Sequence, residues 1–117
     1  MAVFTKHLNW FQQDMSATTV HSAAAIPSNT WAKVTIQFCD LGASAGTVRV
    51  AISPAGAALA AEHYIYYDYV LASAGIVTIK DVDVQPRAVI RVYSANANVT
   101  CNIWGEFKEK TTSLISP

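Results

Sequence analysis

The stretch Thr30-Trp31-Ala32-Lys33-Val34-Thr35-Ile36-Gln37-Phe38-Cys39-Asp40 alternates with a period of two. Ala32, Val34, Ile36 and Phe38 fall on one face, and Trp31, Lys33, Thr35, Gln37 and Cys39 on the other. Successive side chains of an extended chain point to opposite sides, so this pattern marks a strand with one buried face. Asp40 to Gly46 is rich in Gly, Ala and Ser and reads as a turn. Thr47 to Ser53 repeats the alternation, with Val48, Val50 and Ile52 inward and Thr47, Arg49 and Ala51 outward.

The same reading extends downstream. Pro54 lacks the N–H a ladder needs and stops the strand. Ala55 to Glu62 is an alanine-rich connector with room for a helical turn. Tyr64 to Leu71 is strongly β-prone, with Tyr64, Tyr66 and Asp68 predicted opposite Ile65, Tyr67 and Tyr69. Ile76 to Lys80 gives another strand, and Asp81 to Arg87, which contains Pro86, is expected to be a loop. Ala88 to Ser94 alternates again. Asn96-Ala97-Asn98 turns the chain into Val99 to Phe107, where Val99, Cys101 and Ile103 oppose Thr100, Asn102 and Trp104. Six short strands, with a seventh candidate at 17–25 and no convincing amphipathic helix, predict an all-β fold. The expected architecture is a single antiparallel β-sandwich of Greek-key, jelly-roll or immunoglobulin-like topology.

Length and composition bound the rest. A chain of 117 residues makes one domain and needs no metal or disulfide to hold its core. Hydrophobic residues form 52% of it and charged residues only 14%. So few charges leave two options for the surface: small polar residues, or burial against other subunits, whose interface cores are charge-depleted. Eight basic and eight acidic residues cancel, which removes the counterion-release drive toward nucleic acid and the polybasic attraction to anionic lipid. No apolar run reaches the length of a membrane helix. The start, Met1-Ala2-Val3-Phe4-Thr5-Lys6-His7, lacks the form of a secretory signal, so the chain is expected to be made and used in the cytoplasm, or assembled there into something larger.

The sequence divides into an extended N-terminal arm at 1–16, a sandwich over 17–107, and an extended C-terminal tail at 108–117. Phe4, Leu8, Trp10 and Phe11 precede the regular strands. They read either as an apolar arm lying on a neighbouring subunit or as an extra edge strand of the same domain. The arm reading expects removal of 1–15 to leave the sandwich folded. The second conspicuous cluster is His63-Tyr64-Ile65-Tyr66-Tyr67-Asp68-Tyr69, whose rings suit core and rim packing, a subunit contact or a sugar-stacking face. The candidate subunit-interface residues are therefore Phe4, Leu8, Trp10, Phe11, Tyr64, Tyr66 and Tyr69.

Signals for catalysis and cofactors are missing from the pattern. His7, His21 and His63 share no ligand spacing, and Asp81 and Asp83 lack the oxygen-rich loop calcium needs. The glycines are isolated, and no serine sits in a nucleophile elbow. Cys39 and Cys101 have no CxxC spacing and read as two free, core-like thiols, with a disulfide between them as the other option. No enzyme, metal or cofactor is expected.

The stretch Thr47-Val48-Arg49-Val50-Ala51-Ile52-Ser53-Pro54-Ala55-Gly56-Ala57-Ala58-Leu59-Ala60-Ala61-Glu62-His63-Tyr64-Ile65-Tyr66-Tyr67-Asp68 resembles a family of small tailed-bacteriophage virion proteins, in its Pro-Ala-Gly-Ala-Ala-Leu connector and His-Tyr-x-Tyr-Tyr-Asp strand. Val89-Ile90-Arg91-Val92-Tyr93-Ser94-Ala95 and Ala97-Asn98-Val99 are similar to that family's penultimate hairpin, and Cys39 falls where a Cys-Asn-Arg triplet ends an early strand. The likeness spans roughly 17–107. It departs at Asp40-Leu41 and at Ile103-Trp104-Gly105-Glu106-Phe107. The resemblance implies a virion structural protein, made in a bacterial host and carried in the particle. Its leading role would be a capsid decoration (cement) protein that binds major capsid subunits, as a homo-oligomer. A tail, neck, collar or baseplate component, or a fibre-tip module that binds receptor or glycan, is the alternative.

Overall fold

The computed structural model describes residues 2–42 and 44–111. Eight strands run in chain order: β1 (Ala2–Met15), β2 (Thr19–Ser22), β3 (Thr30–Asp40), β4 (Gly46–Ser53), β5 (Tyr64–Leu71), β6 (Ile76–Val84), β7 (Val89–Ser94) and β8 (Val99–Thr111). They form two four-stranded antiparallel sheets in the orders β1-β8-β3-β6 and β2-β7-β4-β5. The first strand thus pairs with the last, the second with the seventh, the third with the sixth and the fourth with the fifth. This is one long hairpin rolled up on itself, the eight-stranded jelly roll. Of the topologies expected, it is this one.

The core forms where the alternating faces meet. Val34, Ile36 and Phe38 of β3, Val48 and Val50 of β4, Ile90 and Val92 of β7, and Cys101 and Ile103 of β8 are all fully buried. The inward and outward faces of β3 match the alternation of its sequence. Cys101 lies in this core, where burial pushes its thiol up to about 12; Cys39 lies on the opposite face of the sheet, and both thiols are free.

Residues 2–15 take the second of their two readings. They are an edge strand, registered against β8 from Ala2↔Thr111 to Met15↔Val99, and not an arm. A bulge between Asn9 and Phe11 turns Trp10 and Phe11 both toward the core. The Trp10 ring lies 4.9 Å from that of Phe107, and its indole N–H donates to the Ala24 carbonyl at 3.1 Å. Met15 is also buried. Removing 1–15 would therefore strip Ile103 and Phe107 of their neighbours, so the sandwich is not expected to survive that truncation. At the other terminus residues 108–111 continue β8, while 112–117 lie outside the described residues.

Two further strands depart from the sequence reading. β6 continues to Val84 through a bulge at Asp81, whose φ is +57°. In β5 the register against β4 shifts twice, giving Val48↔Tyr69, Val50↔Tyr66 and Ala51↔Tyr64. Asp68, at φ +51°, sits in the first of these irregularities; Asp tolerates the left-handed region better than most residues. The consequence is a spacing of three instead of two. Tyr66 and Tyr69 share the inner side, with rings 5.4 Å apart, and Tyr64 and Tyr67 share the outer side, 5.0 Å apart.

The sheets differ in length. β1, β3, β6 and β8 have 9 to 14 residues, whereas β2, β4, β5 and β7 have 4 to 8. At about 3.3 Å per residue, β8 is roughly 15 Å longer than β4. The molecule is elongated accordingly, 57 × 27 × 18 Å. Gly105 holds the long sheet together at its overhanging end: a Cβ there would lie 2.2 Å from the Lys33 carbonyl oxygen and 2.7 Å from Val34 Cα. Both contacts are backbone and cannot swing away. Gly105→Ala is expected to cost about 2–3 kcal/mol through this overpacking, read as a lower urea midpoint with an unchanged slope; a stability within 0.5 kcal/mol of the parent would contradict the close approach.

Candidate functional site

The chemistry-bearing side chains gather on the outer face of the short sheet. Ala51 and Ser53 point outward from β4, yet both are fully buried, because the 54–63 connector folds across them. His63 closes a short 3-10 turn, Ala61–His63. Its Nδ1 accepts the Ala60 N–H at 3.1 Å and lies 3.1 Å from Ser53 Oγ. Since Nδ1 is already an acceptor, the neutral ring carries its proton on Nε2, and the Ser53 hydroxyl donates to Nδ1. Arg91 donates from Nε to Ser53 Oγ (3.0 Å), from one Nη to Ser22 Oγ (2.8 Å) and from the other to the Ala57 carbonyl (3.3 Å).

A serine within reach of a histidine is the first element of a nucleophile–base pair. Here the hydroxyl is fully buried and accepts from a guanidinium. The cluster is a latch. It ties β2, β4, β7 and the connector together through one arginine.

Beside the latch lies an aromatic clamp. The Arg49 guanidinium sits 4.0 Å from the Tyr67 ring centroid and 4.4 Å from that of Tyr93. Its Nε donates to Asp68 Oδ1 at 2.6 Å. That hydrogen bond raises the arginine's pKa, with the Asp68 charge adding to the effect. Stacking on two rings plus a charged hydrogen bond fixes a side chain that would otherwise be free. Tyr67, although 58% exposed, is thereby held in one orientation. On its other side Leu59, Ala60, Ala61, Tyr64 and Tyr67 line an open, mainly apolar groove.

The seven residues singled out in the sequence disperse. Trp10, Phe11 and Tyr66 pack against the core. Tyr64 is half-buried in the groove. Tyr69 is exposed at the margin of β5. Phe4 and Leu8, 51% and 38% exposed, sit opposite Glu109 and Gly105 on the inner side of β1, where the short sheet no longer covers the long one. Sequence reasoning missed Tyr67, Arg49, Asp68 and Tyr93 as a unit, because strict alternation separates Tyr67 from Tyr64 and only the bulges of β5 reunite them. It also left out Ile65 and Val70, which are exposed beside the tyrosines.

A second, polar cavity of about 310 Å³ opens among the loops at the far end, lined in part by Asp40, Ser44, Asn96 and Asn98. Asp40 Oδ1 accepts the Gly42 N–H at 2.8 Å, and Oδ2 is buried without a partner among the described residues. Also among the described residues, no three His, Cys, Asp or Glu side chains are grouped to hold a metal ion, and no helix is long and apolar enough to cross a membrane. The sequence matches no protein-family model and no curated protein.

Arg91→Ala removes three hydrogen bonds from a charged donor and leaves Ser53 Oγ short of one partner. It is expected to lower stability by about 1.5–3 kcal/mol and to open 54–63 to limited proteolysis. Unchanged proteolysis of the connector would show that the latch does not hold it.

Proposed function

We propose that the chain is a structural protein of a tailed-phage virion, a decoration protein that binds the outer capsid in many copies and ties neighbouring major capsid subunits together. One observation carries this reading. The β5 margin of an already closed sandwich exposes Ile65, Tyr67, Tyr69 and Val70, and Arg49 stiffens the most exposed of these tyrosines. Rigid, half-wet aromatics lose little freedom on binding, and Tyr is enriched where protein meets protein. The low charge content supports the same conclusion, since a surface built for contact cannot carry many unpaired charges. So does the likeness of 47–68 to small virion proteins, whose connector and tyrosine strand coincide with this surface.

The mechanism is mass action. A protein that binds only the assembled shell stabilises that shell by the free energy of its own binding, summed over all copies. A tail, neck, collar or baseplate position would use the same face at lower copy number. The glycan-binding alternative rests on the rings and hydroxyls of Tyr64 and Tyr67 alone, because Leu59, Ala60 and Ala61 offer a sugar no side-chain hydrogen bonds.

Co-sedimentation with purified phage heads tests the reading. Parent protein is expected to pellet with heads at a fixed stoichiometry. Tyr67→Ala combined with Tyr69→Ala is expected to weaken that binding at least tenfold, or about 1.4 kcal/mol, while the circular-dichroism spectrum is retained. No binding by the parent, or equal binding by the double variant, would contradict it.

A further inference from the structure

We infer that β1 is a self-pairing edge, through which two copies of the chain join by two-fold antiparallel strand addition. This inference stands apart from the virion reading. The two sheets end in four edge strands, β1, β6, β2 and β5. An unpaired edge invites another strand unless it is short, bulged or charged. β2 has only 4 residues. β6 is broken by the bulge at Asp81 and carries Lys80, Asp81 and Asp83. β5 is twisted by two register shifts and the positive φ of Asp68. In β1, by contrast, Ala2 to Asn9 runs in unbroken register against β8, without a proline and with Lys6 as its one formal charge, and among the described residues its other edge has no partner.

The side chains specify the occupant. On the uncovered inner side of this segment stand Phe4, Lys6 and Leu8, opposite Glu109, Phe107 and Gly105 of β8. A two-fold interface must be self-complementary, with residue i meeting j and j meeting i. Sharing a face allows the register to slide only in steps of two. In the register centred on Lys6, Phe4 of each copy faces Leu8 of the other. Sliding either way instead sets Lys6 against Phe4 or Leu8 and separates the apolar pair. The two Lys6 side chains meet at the axis, on a face open to water, each with Glu109 as a diagonal neighbour across β8. A formal net charge of zero leaves no long-range repulsion between copies. The short sheets do not collide, because each lies toward the Met15 end of its own β1, and antiparallel pairing places those ends apart.

Sedimentation equilibrium of the full chain over a concentration series, with a matched charge swap, decides the matter. The parent is expected to be in monomer–dimer equilibrium. Leu8→Glu sets a charge against Phe4 twice per dimer and is expected to weaken the dimer about tenfold or more. Adding Phe4→Lys to Leu8→Glu brings opposite charges face to face in this register alone and is expected to restore most of the loss. Both positions are exposed, so all three proteins should share one circular-dichroism spectrum. A parent that stays monomeric at every concentration overturns the inference. So does a dimer indifferent to Leu8→Glu, or a double variant no tighter than the single one.

Discussion

Strand β8 must find both of its neighbours before the long sheet can form. Among the described residues it is the only strand paired with β1, and it joins β1 to β3 along nearly its whole length. Its inner residues Val99, Cys101, Ile103 and Phe107 supply one wall of the core. Because the first strand pairs with the last, the chain must be complete before the long sheet exists. Closing so long a loop is entropically costly and makes folding slow relative to a protein of local contacts. Gly105 is the narrowest point of that closure, with β3 backbone where any side chain would begin.

The unequal length of the sheets then determines the surface. The core is sealed where both sheets overlap, and the 23–29 loop extends the seal through Ala23 and Ile26. Past that point the inner side of β1 has no roof, which is why Phe4 and Leu8 stay in water. On the other sheet the 54–63 connector covers the β4 end of the outer face but stops short of β5. These two exposed apolar regions share one geometric reason, a covering element that is too short, while Val20, Trp31, Leu41, Ile76 and Trp104 are exposed elsewhere.

Much of this was legible in the sequence. The alternation in Thr30 to Asp40, Ala88 to Ser94 and Val99 to Phe107 reported the buried faces faithfully, because each of these central strands is covered on one side by the opposite sheet; in Thr47 to Ser53 it held only as far as Val50, since the connector also buries Ala51 and Ser53. The edge strands were harder. β1 mixes Phe4, Leu8, Trp10 and Phe11 without a clean period, since the bulge at Trp10 resets its face midway and half of it has no cover to impose alternation. β5 and β6 hide their registers behind Asp68 and Asp81, whose positive φ angles break the period of two. The tyrosine cluster was visible as composition but not as geometry. Its functional grouping of Tyr64, Tyr67, Arg49 and Asp68 depends on those bulges and on a cross-strand neighbour nineteen residues away. The arginine latch had no sequence signal, because Ser22, Ser53, Ala57 and Arg91 come from four separate segments.

The central claim is that residues 2–15 belong to the sandwich, so that its leftover apolar area lies on a rigid edge and not on a free arm. Amide hydrogen exchange on the full-length chain tests it most directly. Alternate amides from Lys6 to Met15, those bonded to β8, should exchange orders of magnitude more slowly than a free peptide, as those of β3 and β8 do. Free-peptide rates throughout 4–15, beside protected β3 and β8, would contradict the account.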